Sequence, residues 1–306
     1  MNEKSVNEAG AVEHARDPSA GQKRSWLTYA LATTVFWGVW GALIEIPEKA
    51  GFPATLGYCV WALTMIIPAF FSLRSNHWKL DKDRKSVLAG LIIGFTGSIG
   101  QLVLFHALII GPAYLVFPII SLSPLLTILM SYFILKERTT ARSWTGIALA
   151  LVAIPLLAYQ PPANGSYGSA WIVLSLFVFA AWGAQAYFMK AANKHMDTAS
   201  IFFYMTITGI ALIPVAIAMT DFRHEINWGL SGPVLATGVQ LLNAVGALFL
   251  VYAFRYGKAI IVSPMTNAGA PLITIMLSLI IYATIPHIVI VVGMLLAIVS
   301  IFLMAE

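Results

Sequence analysis

The chain has 306 residues, a net charge of +5, 59% hydrophobic residues and only 10% charged residues. This is more apolar surface than one soluble core can bury, so an ordinary soluble globular protein is excluded and a membrane protein is indicated. The single cysteine, Cys59, also excludes an internal disulfide framework and a cysteine-based zinc site.

The N-terminal segment differs from the rest of the chain. Residues 1–25 are polar and mixed in charge, with no hydrophobic segment of the kind that a signal peptide needs. We expect them to form a disordered cytoplasmic tail.

From Trp26 onward, hydrophobic stretches of about 20 residues recur, each long enough to cross a hydrocarbon core of roughly 30 Å as a helix. The predicted fold is therefore an all-α integral membrane protein with ten transmembrane helices. The predicted spans are residues 26–46, 54–73, 87–109, 112–135, 143–159, 169–190, 198–219, 232–254, 259–282 and 286–304.

The lysine and arginine residues between the spans predict the orientation of the chain, because positive charge near span ends is retained on the cytoplasmic side. With the N-terminus inside, all of them except Lys49 and Arg223 fall on cytoplasmic segments. Both termini are therefore expected in the cytoplasm. The basic residues are spread over separate inner loops, so no nucleic-acid partner is predicted.

The two halves of the chain repeat one another. A shift of 145 residues matches Trp37 with Trp182, and shifts of 146 and 147 residues match the glycines and prolines that follow. Chance likeness between apolar helices explains shared leucine, isoleucine and valine, but not glycine, proline, tryptophan and threonine in the same order. We therefore predict two five-helix repeats, at residues 26–159 and 169–304.

The number of spans in each repeat has a mechanical consequence. Because five is odd, the second repeat must enter the membrane from the opposite face, which gives an inverted-topology repeat with a pseudo-two-fold axis in the membrane plane. Two such halves can exchange conformations and open one cavity first to one side and then to the other. This arrangement favours a carrier over an enzyme.

Two prolines interrupt the fourth span, Pro118 and Pro124, and both recur in the ninth span, as Pro264 and Pro271. A proline at membrane depth frees a backbone carbonyl, which is tolerated only where protein, water or a ligand satisfies it. We expect these four prolines to act as kinks or hinges and the fourth and ninth helices to face a polar cavity. Alternatively, the kinks only shape helix packing.

Neutral polar and aromatic residues provide the candidate lining of that cavity. Amide side chains near the middle of spans suit a polar or zwitterionic solute, and tryptophans could stack on its planar or apolar part. Each could instead serve helix packing or interhelical hydrogen bonds. The predicted substrate-binding residues are Trp37, Trp40, Gln101, Ser121, Ser123, Trp182, Gln185, Tyr187, Asn243, Thr266 and Asn267.

Two ionisable residues lie near the outer ends of spans, Glu45 in the first and His106 in the third. Ionisable residues inside a span are functional candidates by default, so either is a candidate for proton coupling. Alternatively, Glu45 is hydrated or pairs with Lys49, and His106 caps a carbonyl of a neighbouring helix.

The order of these features resembles a known family. Trp-Gly in the first helix, Gly-Pro-Ala before the fourth, and Lys136-Glu137-Arg138 after it resemble the EamA domain of the drug/metabolite transporter superfamily, present as two tandem domains. The resemblance implies a ten-helix metabolite carrier with a central cavity lined by helices 1, 3, 4, 6, 8 and 9, and with helices 5 and 10 at the periphery. Glu137 matches the acid that commonly ends helix 4, whereas the second copy has Thr284 at that position.

Motifs of catalysis are missing from the sequence. It has no His-Glu-x-x-His pair, no Gly-x-Ser-x-Gly elbow and no phosphate-binding Gly-x-x-x-x-Gly-Lys loop. No catalytic residue, metal or cofactor is therefore predicted, and the chain is not expected to be an enzyme.

The function expected from the sequence is secondary transport of small metabolites by alternating access. The resemblance implies an exporter in a bacterial inner (plasma) membrane. The neutral polar residues of the spans favour small polar or amphipathic substrates, such as amino acids, related amphiphiles, nucleosides or sugars. The alternative is a membrane-embedded enzyme or receptor-like binding protein that uses the same cavity without transport. The expected partners are the lipid bilayer, a small-molecule substrate and, through the small residues Gly146 to Ala150 and Gly293 to Ala297, a second copy in a homodimer.

Overall fold

The structure, a computed structural model, describes residues 20–160, 162, 168–282 and 285–305. All regular structure in these residues is helical, which confirms the all-α fold. The α-helices are α1 (Ala20–Leu43), α2 (Glu45–Lys49), α3 (Ala54–Thr64), α4 (Ile66–Ser75), α5 (Arg84–Ile110), α6 (Ala113–Ser121), α7 (Ser123–Phe133), α8 (Ala141–Leu157), α9 (Ala170–Ala192), α10 (Thr198–Ala211), α11 (Ile213–Ala218), α12 (Leu235–Tyr256), α13 (Ala259–Tyr282) and α14 (Ile288–Met304).

These helices form ten spans in chain order. Spans 1 to 10 are α1 with α2, α3 with α4, α5, α6 with α7, α8, α9, α10 with α11, α12, α13 and α14. Eight of the spans in the described residues are long and apolar enough to cross a membrane. Spans 5 and 10 have 17 residues each. Such a helix is roughly 26 Å long, at the short end of what a bilayer accepts.

Four spans predicted as single helices are each broken into two. The breaks lie at Ile44, Met65, Leu122 and Leu212, and each precedes a proline by two or three residues. A proline lacks the N–H that would bond the carbonyl four residues earlier and its ring clashes with that carbonyl, so the helix is interrupted before it. Span 9 carries the same two prolines as span 4, yet it remains one helix.

The first span also differs from its prediction. Helix α1 begins at Ala20, so residues 20–25 of the predicted tail are helical, whereas residues 1–19 lie outside the described residues. At its other end α1 stops at Leu43, and the short helix α2 continues the span. Span 8 is preceded by a kinked segment, Leu230–Val234, in which Gly232 has non-helical backbone angles and is followed by Pro233.

The two halves of the chain pack on each other in matched pairs. Span 1 packs on spans 8 and 9, and its repeat partner, span 6, packs on spans 3 and 4. Span 5 packs on its own repeat partner, span 10. This exchange of neighbours is what a two-fold axis between the halves produces.

The two-fold relationship extends to single hydrogen bonds. The hydroxyl of Thr127 donates to the carbonyl of Gly183 at 3.0 Å, and the hydroxyl of Thr274 donates to the carbonyl of Gly38 at 2.9 Å. Thr127 and Thr274 are repeat partners, as are Gly38 and Gly183. Since each half has five spans, the halves are inverted relative to each other.

The small residues of spans 5 and 10 are used inside the chain. A Cβ on Gly146 would lie 3.0 Å from the carbonyl oxygen of Ser300, and one on Gly293 would lie 2.9 Å from Cβ of Leu156. Both glycines are buried in the contact between the two spans. A homodimer stays a prediction, but these two glycines are already occupied by an internal interface.

Polar contacts join the loops at one end of the bundle, which we call the basic end. Arg255 donates to the carbonyl of Asn193 at 2.8 Å, and Lys258 donates to the carbonyl of Arg138 at 2.6 Å. The backbone N–H of Asp197 donates to the carboxylate of Asp81 at 2.7 Å. The loops gathered at the basic end are residues 76–83, 134–140, 193–197 and 257–258.

Candidate functional site

A cavity of about 590 Å³ lies between the two halves. The predicted binding residues that line it are Trp37, Trp40, Gln101, Ser123, Trp182, Gln185, Asn243, Thr266 and Asn267. The structure thus brings together nine residues that come from six different spans. Their role in binding a substrate stays a prediction.

Two predicted binding residues do not line the cavity. The hydroxyl of Ser121 donates to the carbonyl of Pro118 at 2.9 Å, which satisfies a backbone group at the break in span 4. Tyr187 is buried, with its ring edge-on to that of Phe188. The sequence placed both residues in the correct spans, but their side chains serve backbone satisfaction and packing.

The lining also extends beyond the six helices expected from the resemblance. Trp61 of span 2 and Met205 of span 7 contribute to it, as do residues 157–160 at the end of span 5. Span 5 therefore reaches the cavity at one end although most of it packs on span 10. Trp61 has no tryptophan at the matching position of the second half, so the repeat could not reveal it.

Two indoles are fixed against the opposite half of the protein. Nε1 of Trp37 donates to the carbonyl of Asn243, and Nε1 of Trp182 donates to the carbonyl of Gly97, both at 3.2 Å. Trp37 and Trp182 are repeat partners, and so are Gly97 and Asn243. Because both N–H groups are engaged, these rings offer the cavity apolar surface rather than a hydrogen-bond donor.

The other two indoles of the cavity differ in their N–H groups. Nε1 of Trp40 donates to Oε1 of Gln240 at 3.1 Å. Nε1 of Trp61 is buried and has no hydrogen-bond partner among the described residues. A buried donor without a partner is costly, so Trp61 marks a place where a bound water or solute atom would be stabilising.

Three amide side chains complete the polar part of the cavity. Gln101, Gln185 and Asn243 are partly exposed, and their amide groups make no hydrogen bond to other described residues. Asn267, by contrast, donates to the carbonyl of Ser263 at 2.9 Å. A primary amide can donate and accept, so the three unengaged amides can bind both kinds of group on a solute.

No charged side chain belongs to the lining within the described residues. Glu45 lies on the surface, where its carboxylate pairs with Lys49 of the same helix at 2.5 Å, and His106 is also exposed. Neither candidate for proton coupling touches the cavity, and their coupling role stays a prediction. Among the described residues no group of three His, Cys, Asp or Glu side chains could hold a metal.

The four repeated prolines occupy different local structures. Pro118 lies inside α6 and Pro124 in the first turn of α7, whereas Pro264 and Pro271 both lie inside α13. Pro271 lines the cavity. Spans 4 and 9 therefore both face the cavity as predicted, while the hinge role of their prolines stays a prediction.

The cavity has unlike ends. Towards the basic end its lining stops at Met189, Phe254 and Ser263, which are 1%, 1% and 2% exposed. At the opposite end the lining includes Gln160, which is exposed to solvent. The described residues thus seal the cavity at the basic end and carry it to the surface at the other.

Glu137 lies just below the sealed end. Its carboxylate accepts a hydrogen bond from the backbone N–H of Ile260 at 3.1 Å, and its other oxygen lies 4.0 Å from Nζ of Lys190. Burial raises the pKa of the Glu137 carboxyl, an effect that the Ile260 N–H and the Lys190 charge partly offset. Its repeat partner Thr284 lies outside the described residues.

Comparisons with known proteins relate the chain to a transporter family. The EamA-like transporter family matches residues 24–159 and again residues 169–305. Protein LicB of Haemophilus influenzae is 25% identical over 278 residues, covering 82% of this chain and 94% of LicB. The uncharacterized protein MJ1333.1 of Methanocaldococcus jannaschii is 36% identical over 76 residues, covering 25% of this chain and 56% of that protein.

Solved structures include similar folds. One of them is described only as "Crystal structure of protein", and it superposes with a TM-score of 0.72 at 15% sequence identity. The match covers 90% of this chain and 97% of the other. This likeness supports the arrangement of the helices.

Proposed function

The chain belongs to the EamA-like transporter family, and on that premise we propose that it is a secondary transporter of small polar or amphipathic metabolites that works by alternating access. The observation that carries the proposal is the cavity of about 590 Å³ between two inverted halves, sealed at one end and reaching the surface at the other. Such a site can be presented to either side of a membrane when the halves exchange shapes.

The chemistry of the lining supports a particular class of solute. Four indoles give it apolar, flat surfaces, and three unengaged amides give it donors and acceptors. A compound with an apolar part and a small polar or zwitterionic head, such as an amino acid with a large side chain, matches both features. A dianionic phosphate would ordinarily need lysine or arginine in the lining, which the described residues do not supply.

The size of the cavity is compatible with this class. Small-molecule sites usually enclose about 300 to 1,000 Å³. The cavity falls within that range, with room for a solute the size of an amino acid together with several waters. We propose that both chain termini lie in the cytoplasm, because the lysines and arginines gather at the basic end. We also propose export from a bacterial cytoplasm, which is the direction that the resemblance to the family implies.

Counterflow in proteoliposomes tests the proposal directly. The purified protein is reconstituted, loaded with one unlabelled amino acid at a time, and assayed for uptake of the same labelled compound. Accelerated exchange of at least one compound with an apolar side chain is expected, and Gln185→Leu should reduce it. Tight binding of a compound that never shows counterflow would instead indicate a receptor-like protein or an enzyme. A panel without any bound compound would contradict the proposed substrate class.

The direction of transport needs intact cells. We expect cells that express the protein to accumulate more of the substrate in the medium than cells that express Gln185→Leu at the same level. Accumulation inside the cells would contradict export and leave the proposal of secondary transport in place.

A further inference from the structure

Two largely buried ionisable side chains, Glu137 and Lys190, meet at the sealed end of the cavity. They are only 10% and 15% exposed, and their charged atoms lie 4.0 Å apart. A buried pair of this kind carries a desolvation cost, so its hydrogen bonds decide whether the arrangement is stable. Both residues have such bonds, and each of these bonds joins different helices.

Lys190 ties span 6 to span 8. Its ammonium group donates to the carbonyl of Phe254 at 3.0 Å and to that of Gly257 at 2.5 Å. These are carbonyls at the end of α12, which have no intrahelical N–H partner, and a cation at a helix C-terminus is also favoured by the helix dipole. The Lys190 side chain therefore satisfies two backbone carbonyls that would have to bind water if this end of the cavity were open.

Glu137 ties the end of span 4 to the start of span 9. Its carboxylate accepts from the N–H of Ile260, in the first turn of α13, where backbone N–H groups have no intrahelical partner. With Lys190 beside it, four spans that line the cavity are joined around one pair of side chains. Phe254 connects this pair to the cavity, because its carbonyl accepts a hydrogen bond from Lys190 and the residue also lines the sealed end of the cavity.

The repeat provides an internal comparison with the other end of the cavity. The repeat partner of Lys190 is Glu45, and the partners of its acceptors Phe254 and Gly257 are Leu108 and Gly111. A glutamate carboxylate cannot donate to two carbonyls as an ammonium group does. Glu45 is instead exposed and paired with Lys49 within its own span. At this pair of positions the two ends are chemically unequal.

We propose that Glu137 and Lys190 form a latch that closes the cavity at the basic end, and that the opposite end lacks the equivalent of its lysine. This inference rests on the proposed function, since a latch has a purpose only in a carrier whose two ends open in turn. It assigns the two residues a positioning role: they bind no substrate, and they set how often the basic end opens.

Side-resolved labelling of a single cysteine tests the latch without any substrate. Cys59 is replaced by alanine, and Ser263, which lines the sealed end and is 2% exposed, is replaced by cysteine. A membrane-impermeant methanethiosulfonate reagent is then applied to vesicles from either side. We expect slow labelling from the basic side in this background, and about tenfold faster labelling after Lys190→Met, because two hydrogen bonds to a charged donor are lost.

Matched variants separate the latch from general loss of charge or structure. Lys194→Met removes the same charge from an exposed position four residues later and should leave the labelling rate unchanged. Lys190→Arg keeps the charge and the donors and should restore slow labelling. Glu137→Ala should accelerate labelling to a smaller extent. Thermal melting of each variant shows whether it is folded. If Lys190→Met is not folded, Glu137→Ala is compared with Lys194→Met in its place.

The outcomes distinguish the two proposals. Equal labelling rates in Lys190→Met and Lys194→Met, both folded, would overturn the latch, whatever the transport assay shows. Faster labelling only in the latch variants, in a protein that exchanges none of the tested compounds, would support the latch and contradict the proposed substrate class. Faster labelling together with altered counterflow supports both.

Discussion

The indole nitrogen of Trp37 donates to the backbone carbonyl of Asn243 at 3.2 Å, joining residues 206 positions apart in the chain. Gly246 lies one turn further along α12, and a Cβ there would be 2.5 Å from Cδ1 and 2.7 Å from Nε1 of the same indole. The glycine therefore allows the ring to approach the helix closely enough to bond its backbone.

Replacing Gly246 by alanine should displace the Trp37 ring, because a Cβ cannot be accommodated without movement of the indole or of α12. We expect a loss of about 1 to 3 kcal/mol in stability, typical of overpacking, together with weaker binding of any cavity ligand. Melting temperature and ligand affinity measure the two effects. The control is Gly238→Ala in the same helix, where a Cβ would meet nothing within 4 Å. Equal melting temperatures of the two variants would contradict the close-approach argument.

Binding should depend on the unengaged amides of the cavity. Replacing Gln185 or Asn243 by leucine removes a donor and an acceptor at the lining, and we expect the Kd of a transported solute to rise about five- to tenfold, the usual effect of one hydrogen bond. Isothermal titration or a thermal-shift series measures the affinity. Tyr187→Phe, on the same span as Gln185 but outside the lining, should leave the Kd unchanged. A larger loss in Tyr187→Phe than in Gln185→Leu would place the solute elsewhere.

The latch should respond to pH through Glu137. Burial raises the pKa of this carboxyl in the closed state, whereas a hydrated carboxyl in an open end has its ordinary pKa of about 4.3. The closed end therefore binds more protons than the open end. The stability that the closed end gains over the open end from protonated Glu137 is therefore fully present below the ordinary pKa. It is lost as the pH rises through the raised pKa. The backbone N–H of Ile260 and the neighbouring cations Lys190 and Lys194 limit this rise in pKa.

The labelling assay measures this dependence. Labelling of Ser263→Cys from the basic side should accelerate as the pH rises through the raised pKa of Glu137, after normalisation to a cysteine at the exposed position 194 (Lys194→Cys), which corrects for thiol ionisation. Glu137→Gln, which keeps an acceptor for the Ile260 N–H without a titrating group, should abolish the normalised dependence. Persistence of the full dependence in Glu137→Gln would assign it to another group.

A lysine at position 45 should supply the missing donor at the opposite end. Glu45 is the repeat partner of Lys190, so Glu45→Lys places an ammonium group where the carbonyls of Leu108 and Gly111 correspond to the acceptors of Lys190. We expect labelling of a cavity cysteine to become slower from the opposite side and faster from the basic side. Glu48→Lys makes the same change of charge three residues away, at a position whose repeat partner is Asn193, and should change neither rate. An equal effect of both variants would indicate a general effect of charge.

The sequence predicted the parts of the site that the repeat duplicates. Trp37 and Trp182 were found as partners, and the structure places both on the cavity with matching hydrogen bonds. The amides were found by a second signal, a polar side chain deep in an apolar span. Both signals are local or periodic, which is why one sequence is sufficient to detect them.

Other parts of the site leave no such signal. Trp61 and residues 157–160 reach the cavity because of how spans 2 and 5 lie beside it, which depends on packing between distant segments. Ser121 differs in another way. Its position beside a proline predicts a contact with the substrate, whereas in the structure its hydroxyl donates to the backbone carbonyl of Pro118. The sequence does not predict the latch, because a comparison of the halves detects residues that are the same in both. Lys190 is different from its repeat partner, Glu45, so this comparison does not select it.

The different shapes of spans 4 and 9 have a consequence for the transport cycle. Both contain the same pair of prolines, yet one is split at Leu122 and the other runs unbroken from Ala259 to Tyr282. The structure thus shows the same repeated span in two conformations, broken in the first half and continuous in the second. If the two halves exchange conformations during the cycle, span 4 should become a continuous helix, as span 9 is here. Span 9 should then break, as span 4 does here at Leu122.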